Sequence, residues 1–488
     1  MLPSWPVALL GMPPRPRVAV GRHYQRGDPV RHLVVVVPGI GGSVLADGSR
    51  VVWDAGIGDI AGLVLRPDRL DLDSVPKLTP TGLIRSRTWL PGWTVVHGYQ
   101  GLMASLAGLP GAVVDSGDPG GRVQGATVVA FPYDFRRSIA EAAGRLRAEV
   151  DRRLEDLGGE RDKRVIVVAH SMGGLVARHW LGPGGGWPLC RSLITLGTPH
   201  RGAPKALQLL INGFRKGPFK AGGVSELIEG WPSVYELLPR YEAVWDESAG
   251  CSRYPHELPI KRFAAKAEAA FEIHRGIEEA WEGVPRGGPE VIPVLGWSHP
   301  TLQSARWDGR LRVSKTAPGW IEAPGWETDL GDGTVPALSA APLEMSDAQR
   351  GIIRLRQRHG PIAAVPDLVD LIRDYESRGT TRAARGEETP AALGLDLEDC
   401  YDAGQEIPVA VTVHHAEPTA ETKVWATVRT AGRRGKFQVE LRPVPDGSYA
   451  AAMTVPEPGL HELEVMATEI AGAGDLRVAD SFCTLGEE

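Results

Sequence analysis

The sequence predicts an α/β fold with a largely parallel sheet, followed by a smaller all-β domain. Three observations predict it. Short apolar runs without polar alternation recur at Leu33 to Val37, Ala126 to Phe131, Val165 to Ala169, Leu193 to Leu196 and Val291 to Leu295, as strands buried on both faces require. Helical periodicity separates them: Ile139, Ala142, Ala143, Leu146 and Val150 share one face of a helix over Ile139 to Leu157, and Gly174 to Leu181 begins another. Beyond the helix expected from about Ile362 to Tyr375, the pattern changes to alternating strands at Ile407 to His414, Val424 to Arg429, Phe437 to Pro443, Tyr449 to Val455, His461 to Thr468 and Arg477 to Cys483. Turn signals such as Pro445-Asp446-Gly447 separate these six, which reads as a β-sandwich of immunoglobulin or fibronectin-III type.

The resulting division is an N-terminal extension over 1–30, an α/β domain over 31–378, a linker over 379–394 rich in turn formers and charge, and a sandwich over 395–488. Two stretches break the α/β rhythm: an irregular one at about 54–93 and a mostly helical one at about 205–285 with Trp, Tyr and Phe that look exposed. They read either as covers over a reactive face or as extra packing elements.

The 488 residues are enough for two or three domains, and 42% hydrophobic with 23% charged residues excludes a disordered chain. A formal net charge of −6 argues against a nucleic-acid binder. Sixty glycines and forty prolines without a Gly-x-y period mean many turns. Cys190, Cys251, Cys400 and Cys483 lie far apart in sequence, so neither a zinc site, a redox pair nor a disulfide framework is expected. The N-terminus makes a poor signal peptide, and no apolar run reaches transmembrane length. A cytoplasmic location with at most peripheral contact to a membrane surface is the expectation.

The chemistry concentrates where the apolar run Val165 to Ala169 meets His170-Ser171-Met172-Gly173-Gly174 and then a helix. This Ala-x-Ser-x-Gly in a strand-turn-helix context is a nucleophile elbow with Ala169 in place of the first Gly; its small residues permit a sharp turn that strains Ser171. A serine hydroxyl needs a histidine base, and the base needs a carboxylate. Asp332, between Gly331 and Gly333, follows in the chain, with Asp329 as the more ordinary turn residue. The order Ser, Asp, His then selects His359, whereas His170 is expected to point elsewhere on the elbow. For the oxyanion, Met172 N–H and Ile40 N–H are expected donors, with Gly41 as the second choice in the Gly39-Ile40-Gly41-Gly42 loop. Val44 stands where a dinucleotide fingerprint would have its third Gly, which sets that reading aside.

Val37-Pro38-Gly39-Ile40-Gly41-Gly42-Ser43, Trp53, Tyr133-Asp134-Phe135-Arg136, Ala169-His170-Ser171-Met172-Gly173-Gly174, Leu196-Gly197-Thr198-Pro199 and Gly331-Asp332-Gly333-Thr334-Val335-Pro336, in this order, resemble the lecithin:cholesterol acyltransferase family, which includes lysosomal phospholipase A2 and the phospholipid:diacylglycerol acyltransferases. The resemblance covers about residues 33–375. It implies an α/β-hydrolase fold, Ser171, Asp332 and His359 as triad, Ile40 and Met172 as oxyanion donors, a lid around Trp53 and a cap that receives acyl chains. Family members commonly carry Gly before the elbow His and a lid disulfide; this chain has Ala169 and no cysteine in its lid.

Leu63 and Trp89, with Trp53 and Gly41, are candidate substrate contacts, apolar enough for fatty-acyl chains. The expected activity is that of a serine carboxylic-ester hydrolase of lipase or phospholipase type acting on a lipid acyl ester through an acyl-Ser171 intermediate, with no metal and no organic cofactor. Two alternatives stand beside it: an O-acyltransferase using a lipid acyl donor, and a non-catalytic effector whose sandwich binds a protein or glycan partner.

Overall fold

The computed structural model describes residues 32–486 apart from 55–66, 86–87, 91–93, 118–120, 163, 217–218, 221, 286, 321–329, 346–352, 365–390, 432 and 434. The N-terminal extension, Leu63, Asp329, most of the helix expected from Ile362 and most of the linker therefore lie outside the described residues, as do the side chain of Trp89 and much of the expected lid.

Seven parallel strands form the central sheet: β1 (Leu33–Val37), β2 (Val114–Asp115), β3 (Val128–Ala130), β4 (Val165–His170), β5 (Cys190–Leu196), β6 (Glu290–Gly296) and β7 (Ile353–Leu355), in the order β7-β6-β5-β4-β1-β3-β2. The unalternating runs have the burial they imply, since every residue of β1 and β4 is buried. Helix α2 (Met172–Leu181) packs on the sheet and α1 (Ile139–Asp156) packs beside it, while α3 (Pro204–Asn212) and α4 (Lys261–Glu282) belong to the segment expected as a cap. Ser138 caps α1 by accepting from Ala140 N at 3.2 Å, and the buried stripe Ile139, Ala142, Ala143, Leu146, Val150, Leu154 faces inward. Parallel strands with covering helices fit an α/β hydrolase.

In the expected cap, Trp231, Tyr235, Phe263 and Trp281 are buried, so they pack as core instead of standing exposed. Trp231 donates its indole N–H to Leu70 O, which ties the cap to the segment between β1 and β2.

The C-terminal region has eight strands where the sequence pattern indicates six. They are β8 (Ala392–Asp396), β9 (Cys400–Asp402), β10 (Glu406–His414), β11 (Glu417–Thr430), β12 (Phe437–Pro443), β13 (Tyr449–Thr454), β14 (Gly459–Ala471) and β15 (Gly474–Leu485), in one ladder ordered β8-β10-β13-β12-β11-β14-β15-β9. Both halves of the ladder line one core: Ile407, Val409 and Val411 alternate inward from β10, and Leu463, Val465 and Ala467 from β14. The last three residues of the expected linker belong to β8, which pairs with β10 from Ala392 opposite His414; Ala392-Leu393-Gly394 is too short an apolar stretch to stand out from a linker by composition. Strand β9 places Cys400 opposite Cys483, with the two sulfurs 3.3 Å apart and unbonded, so two thiols distant in sequence are neighbours in the fold. Among the described residues, no helix is long and apolar enough to cross a membrane, and no group of three or more His, Cys, Asp or Glu is placed to hold a metal.

Candidate active site

Strand β4 runs into α2 through Ser171, whose φ of 52° and ψ of −128° place a non-glycine residue in a strained conformation. Close packing explains the small neighbours. A Cβ on Gly173 would sit 2.5 Å from Pro38 O and 2.6 Å from Val37 O, and one on Gly39 would sit 2.8 Å from Ser171 Cβ. The backbone is pinned by Ser171 N donating to Leu196 O at 2.9 Å.

The structure brings Ser171, His359 and Asp332 together. Ser171 Oγ lies 2.9 Å from His359 Nε2, and His359 Nδ1 lies 2.7 Å from Asp332 Oδ2. Asp332 Oδ1 accepts from Thr334 N at 2.9 Å and Val335 N at 2.7 Å, so both carboxylate oxygens have defined partners. His359 N donates to Asp332 O at 2.9 Å, which joins the two loops by backbone as well. With Nδ1–H donated to the carboxylate, Nε2 is left to accept the serine proton. All three residues are only 2% exposed, so their electrostatics operate in a shielded environment.

Met172 opens α2, where the first amides have no intrahelical acceptor, and among the described residues the Ile40 amide has no acceptor within the protein. These are the two amides picked as oxyanion donors. Gly41, at a φ of 73°, makes the turn that only glycine adopts readily, and its carbonyl accepts from Trp53 Nε1 at 2.9 Å. Trp53 is 1% exposed and packs edge-on against Phe135. It thus braces the loop from within the core, at the position expected to be a substrate contact within a lid; the indole's one donor is spent on Gly41.

The sequence marks His170, Gly197, Tyr133 and Arg136 only as members of motifs, without their supporting contacts, and does not single out Tyr99. His170 does not point away: its Nε2 is 3.0 Å from His359 O, and its Nδ1 is 2.7 Å from Tyr99 Oη. Burial first, and His359 second, push its pKa down to about 3, so the ring is neutral. Tyr99 O–H then donates to Nδ1 while Tyr99 Oη accepts from Gly39 N at 2.9 Å, a chain running from the Gly39 loop to the His359 loop. Gly197 sits beside the Asp332–His359 pair: at its φ of 56°, a Cβ would lie 2.9 Å from Asp332 Oδ2 and 3.1 Å from His359 Nδ1. Tyr133 O–H donates to Pro38 O at 2.9 Å, and fully buried Arg136 pairs with Asp134 while donating to Val75 O and Leu70 O. A cavity of about 960 Å³ opens elsewhere, between α3 and the β-domain, with Lys205, Arg310 and Asp399 in its walls.

Residues 111–272 match the family model described as lecithin:cholesterol acyltransferase. A putative phospholipid:diacylglycerol acyltransferase 2 of Arabidopsis thaliana is 28% identical over 293 residues. Over these stretches the chain is similar to the LCAT family. The match to the plant protein covers 49% of this chain and 42% of the relative, so the chain spans about two fifths of that relative's length. The LCAT-like span matched by the family model holds Ser171 and Met172; Asp332 and His359 follow it in the chain. Among solved structures, the propeptide form of the lipase BlEst2 from Bacillus licheniformis overlaps 94% of this chain and 95% of its own at 12% identity, with a TM-score of 0.29. A superoxide reductase from Ignicoccus hospitalis overlaps 20% and 80% at 13% identity, with a TM-score of 0.16. Scores this low carry no argument about fold or activity.

Proposed function

We propose that this protein is a serine carboxylic-ester hydrolase or acyltransferase acting on lipid acyl esters. One observation carries the reading: Ser171 Oγ, His359 Nε2 and Nδ1, and Asp332 Oδ2 form a continuous hydrogen-bonded line at 2.9 and 2.7 Å on a strained elbow. Ser171 Oγ attacks the ester carbonyl as its proton passes to His359 Nε2, and Asp332 stabilises the imidazolium. The oxyanion is held by Ile40 and Met172 N–H, each worth about 3 kcal/mol on comparable enzymes. Collapse expels the alcohol, which takes the proton from His359, and leaves acyl-Ser171. Water or an acceptor alcohol then gives its proton to His359 and takes the acyl group. The acyl substrate class rests on the LCAT-like match and on the name of the plant relative. The boundaries of an α/β-hydrolase domain over 31–378 and an immunoglobulin-like sandwich after it belong to the same reading, with the sandwich starting at β8.

Replacing Ser171 with Ala is expected to abolish fatty-acid release and labelling by a fluorophosphonate. Undiminished turnover would overturn the assignment of Ser171 as nucleophile, whereas a wild type that neither turns over acyl esters nor reacts with the fluorophosphonate would favour the non-catalytic effector. Products formed from a labelled ester with and without an added alcohol separate hydrolysis from transfer.

A further inference from the structure

The base loop is anchored in the C-terminal β-domain. Arg358, the neighbour of His359, is 4% exposed, and its guanidinium donates through Nη1 to Leu395 O at 2.8 Å and through Nη2 to Leu397 O at 3.0 Å. Its Nε pairs with Asp480 Oδ2 of β15. The same guanidinium lies against the acid loop, since a Cβ on Gly333 would come within 2.8 Å of Nη2. The β-domain reaches the acid loop by a second route: Leu395 N donates to His299 Nδ1 at 3.1 Å, and His299 pairs by backbone with Gly331 and Asp332. Ala392 completes the contact by packing with Leu295, Trp297, Val335 and Ala337. Burial works against the Arg358 charge, but the carboxylates of Asp480, Asp399, Asp396 and Glu398 outweigh it and hold the guanidinium protonated.

We infer that the β-domain is a working part of the active site: Asp480 fixes Arg358, and Arg358 holds the His359 loop in register with the acid loop. The inference rests on the triad reading above. Arg358 and Asp480 are positioning residues, whose side chains bond to Leu395 O, Leu397 O and each other and act on Ser171 only through the His359 loop. Asp480 has a second effect, because its carboxylate balances a buried cation next to an imidazole that must become positive during the reaction. An unbalanced guanidinium would oppose that charge in the transition state more than in the ground state, and so act on kcat.

The test uses the full chain. Asp480→Asn keeps the side-chain shape and removes the charge; kcat on a soluble ester is expected to fall about tenfold or more with KM within about twofold, while Asp480→Glu recovers most of the loss. Val465→Ala, in the β-domain core, controls for stability: at a comparable fall in melting temperature it should keep the wild-type kcat. A folded Asp480→Asn with wild-type kcat, or a loss carried by KM alone, overturns the inference. If Asp480→Asn does not fold, Arg358→Gln decides, since Asp480 can then take up a proton: a wild-type kcat there overturns it, and a kcat-selective loss supports it. Ser171→Ala is run alongside. Turnover surviving in Ser171→Ala would fault the triad reading, whereas a dead Ser171→Ala beside an active Asp480→Asn faults only the β-domain inference.

Discussion

The two halves of the site are held by opposite kinds of structure. On the nucleophile side, Ser171 lies between β4 and α2, and its strain is sustained by glycines within three residues and by one close approach from Gly39. On the acid–base side, Asp332 and His359 stand 27 residues apart on loops, and their placement comes from Gly197, Thr301, His299 and, through Arg358, the β-domain. A strained turn at a strand end is a local problem with a local solution. A loop-borne pair has no regular element to fix it, so distant parts of the chain supply the restraint.

Alanine at two glycines separates the halves. Gly173→Ala puts a methyl group against the backbone oxygens of Pro38 and Val37, inside the central sheet, where nothing flexible can yield. We expect the largest effect here: activity down by about three orders of magnitude together with a clear fall in melting temperature, as overpacking against backbone costs about 1–3 kcal/mol or more. Gly197→Ala instead meets the ends of the Asp332 and His359 side chains. Those can move, but at a φ of 56° alanine also strains the backbone by about 1 kcal/mol, so the fold should survive with a modest fall in melting temperature while kcat drops about a hundredfold, in the range seen when a catalytic hydrogen bond is misaligned. Wild-type kcat in Gly197→Ala would mean that the carboxylate–imidazole contact does not limit the reaction.

Tyr99→Phe tests the link between the halves. The phenol accepts from Gly39 N and donates to His170, and Phe leaves a buried amide without its partner. Such a loss costs about 1–3 kcal/mol, so a kcat lower by about tenfold is expected. Because both loops depend on Tyr99, fluorophosphonate labelling of Ser171 should slow in proportion. Labelling at the wild-type rate would show that the two halves are held independently.

The same contrast explains what was legible in the sequence. The buried strands and the elbow stand out because burial on both faces and a strained turn restrict residue type along consecutive positions: Val165 to Gly174 carries nearly the whole signal. Asp332 and His359 were reachable only through chain order among many candidates. Trp53, His170, Tyr99 and Arg358 owe their places to partners 12 to 189 residues away, as with Trp53 to Gly41 and His170 to His359. Trp53 and His170 are visible only as members of motifs, and nothing in the neighbourhoods of Tyr99 and Arg358 marks them. The β-domain shows the same limit: its alternating strands were readable, but β8 and β9 are short, and the ion pair of Arg358 with Asp480 joins residues that no periodicity connects.

Acid weakens both halves at once, through histidines buried in neutral form. Burial first holds His170 at about 3, and burial followed by Arg358 holds His299 well below its usual value; one braces each side of the site. Each has a folded pKa below its unfolded value near 6.5, so its contribution is fully present above 6.5 and is lost as pH falls below it. The smallest and most discriminating effect lies in the pair His274 and Glu236, where His274 Nε2 meets Glu236 O at 2.6 Å. Burial lowers His274 to about 4 and raises Glu236 to about 7. The two therefore have opposite signs: between pH 7 and 5 His274 costs stability as it approaches protonation, whereas Glu236, whose stabilising neutral form is lost as pH rises through 7, regains it. Each is worth on the order of 2 kcal/mol over that interval. Urea unfolding at pH 7 and pH 5 should show a shallower acid loss in His274→Gln and a steeper one in Glu236→Gln. Changes of the same sign in both variants would mean that their titration is not what couples this region to pH.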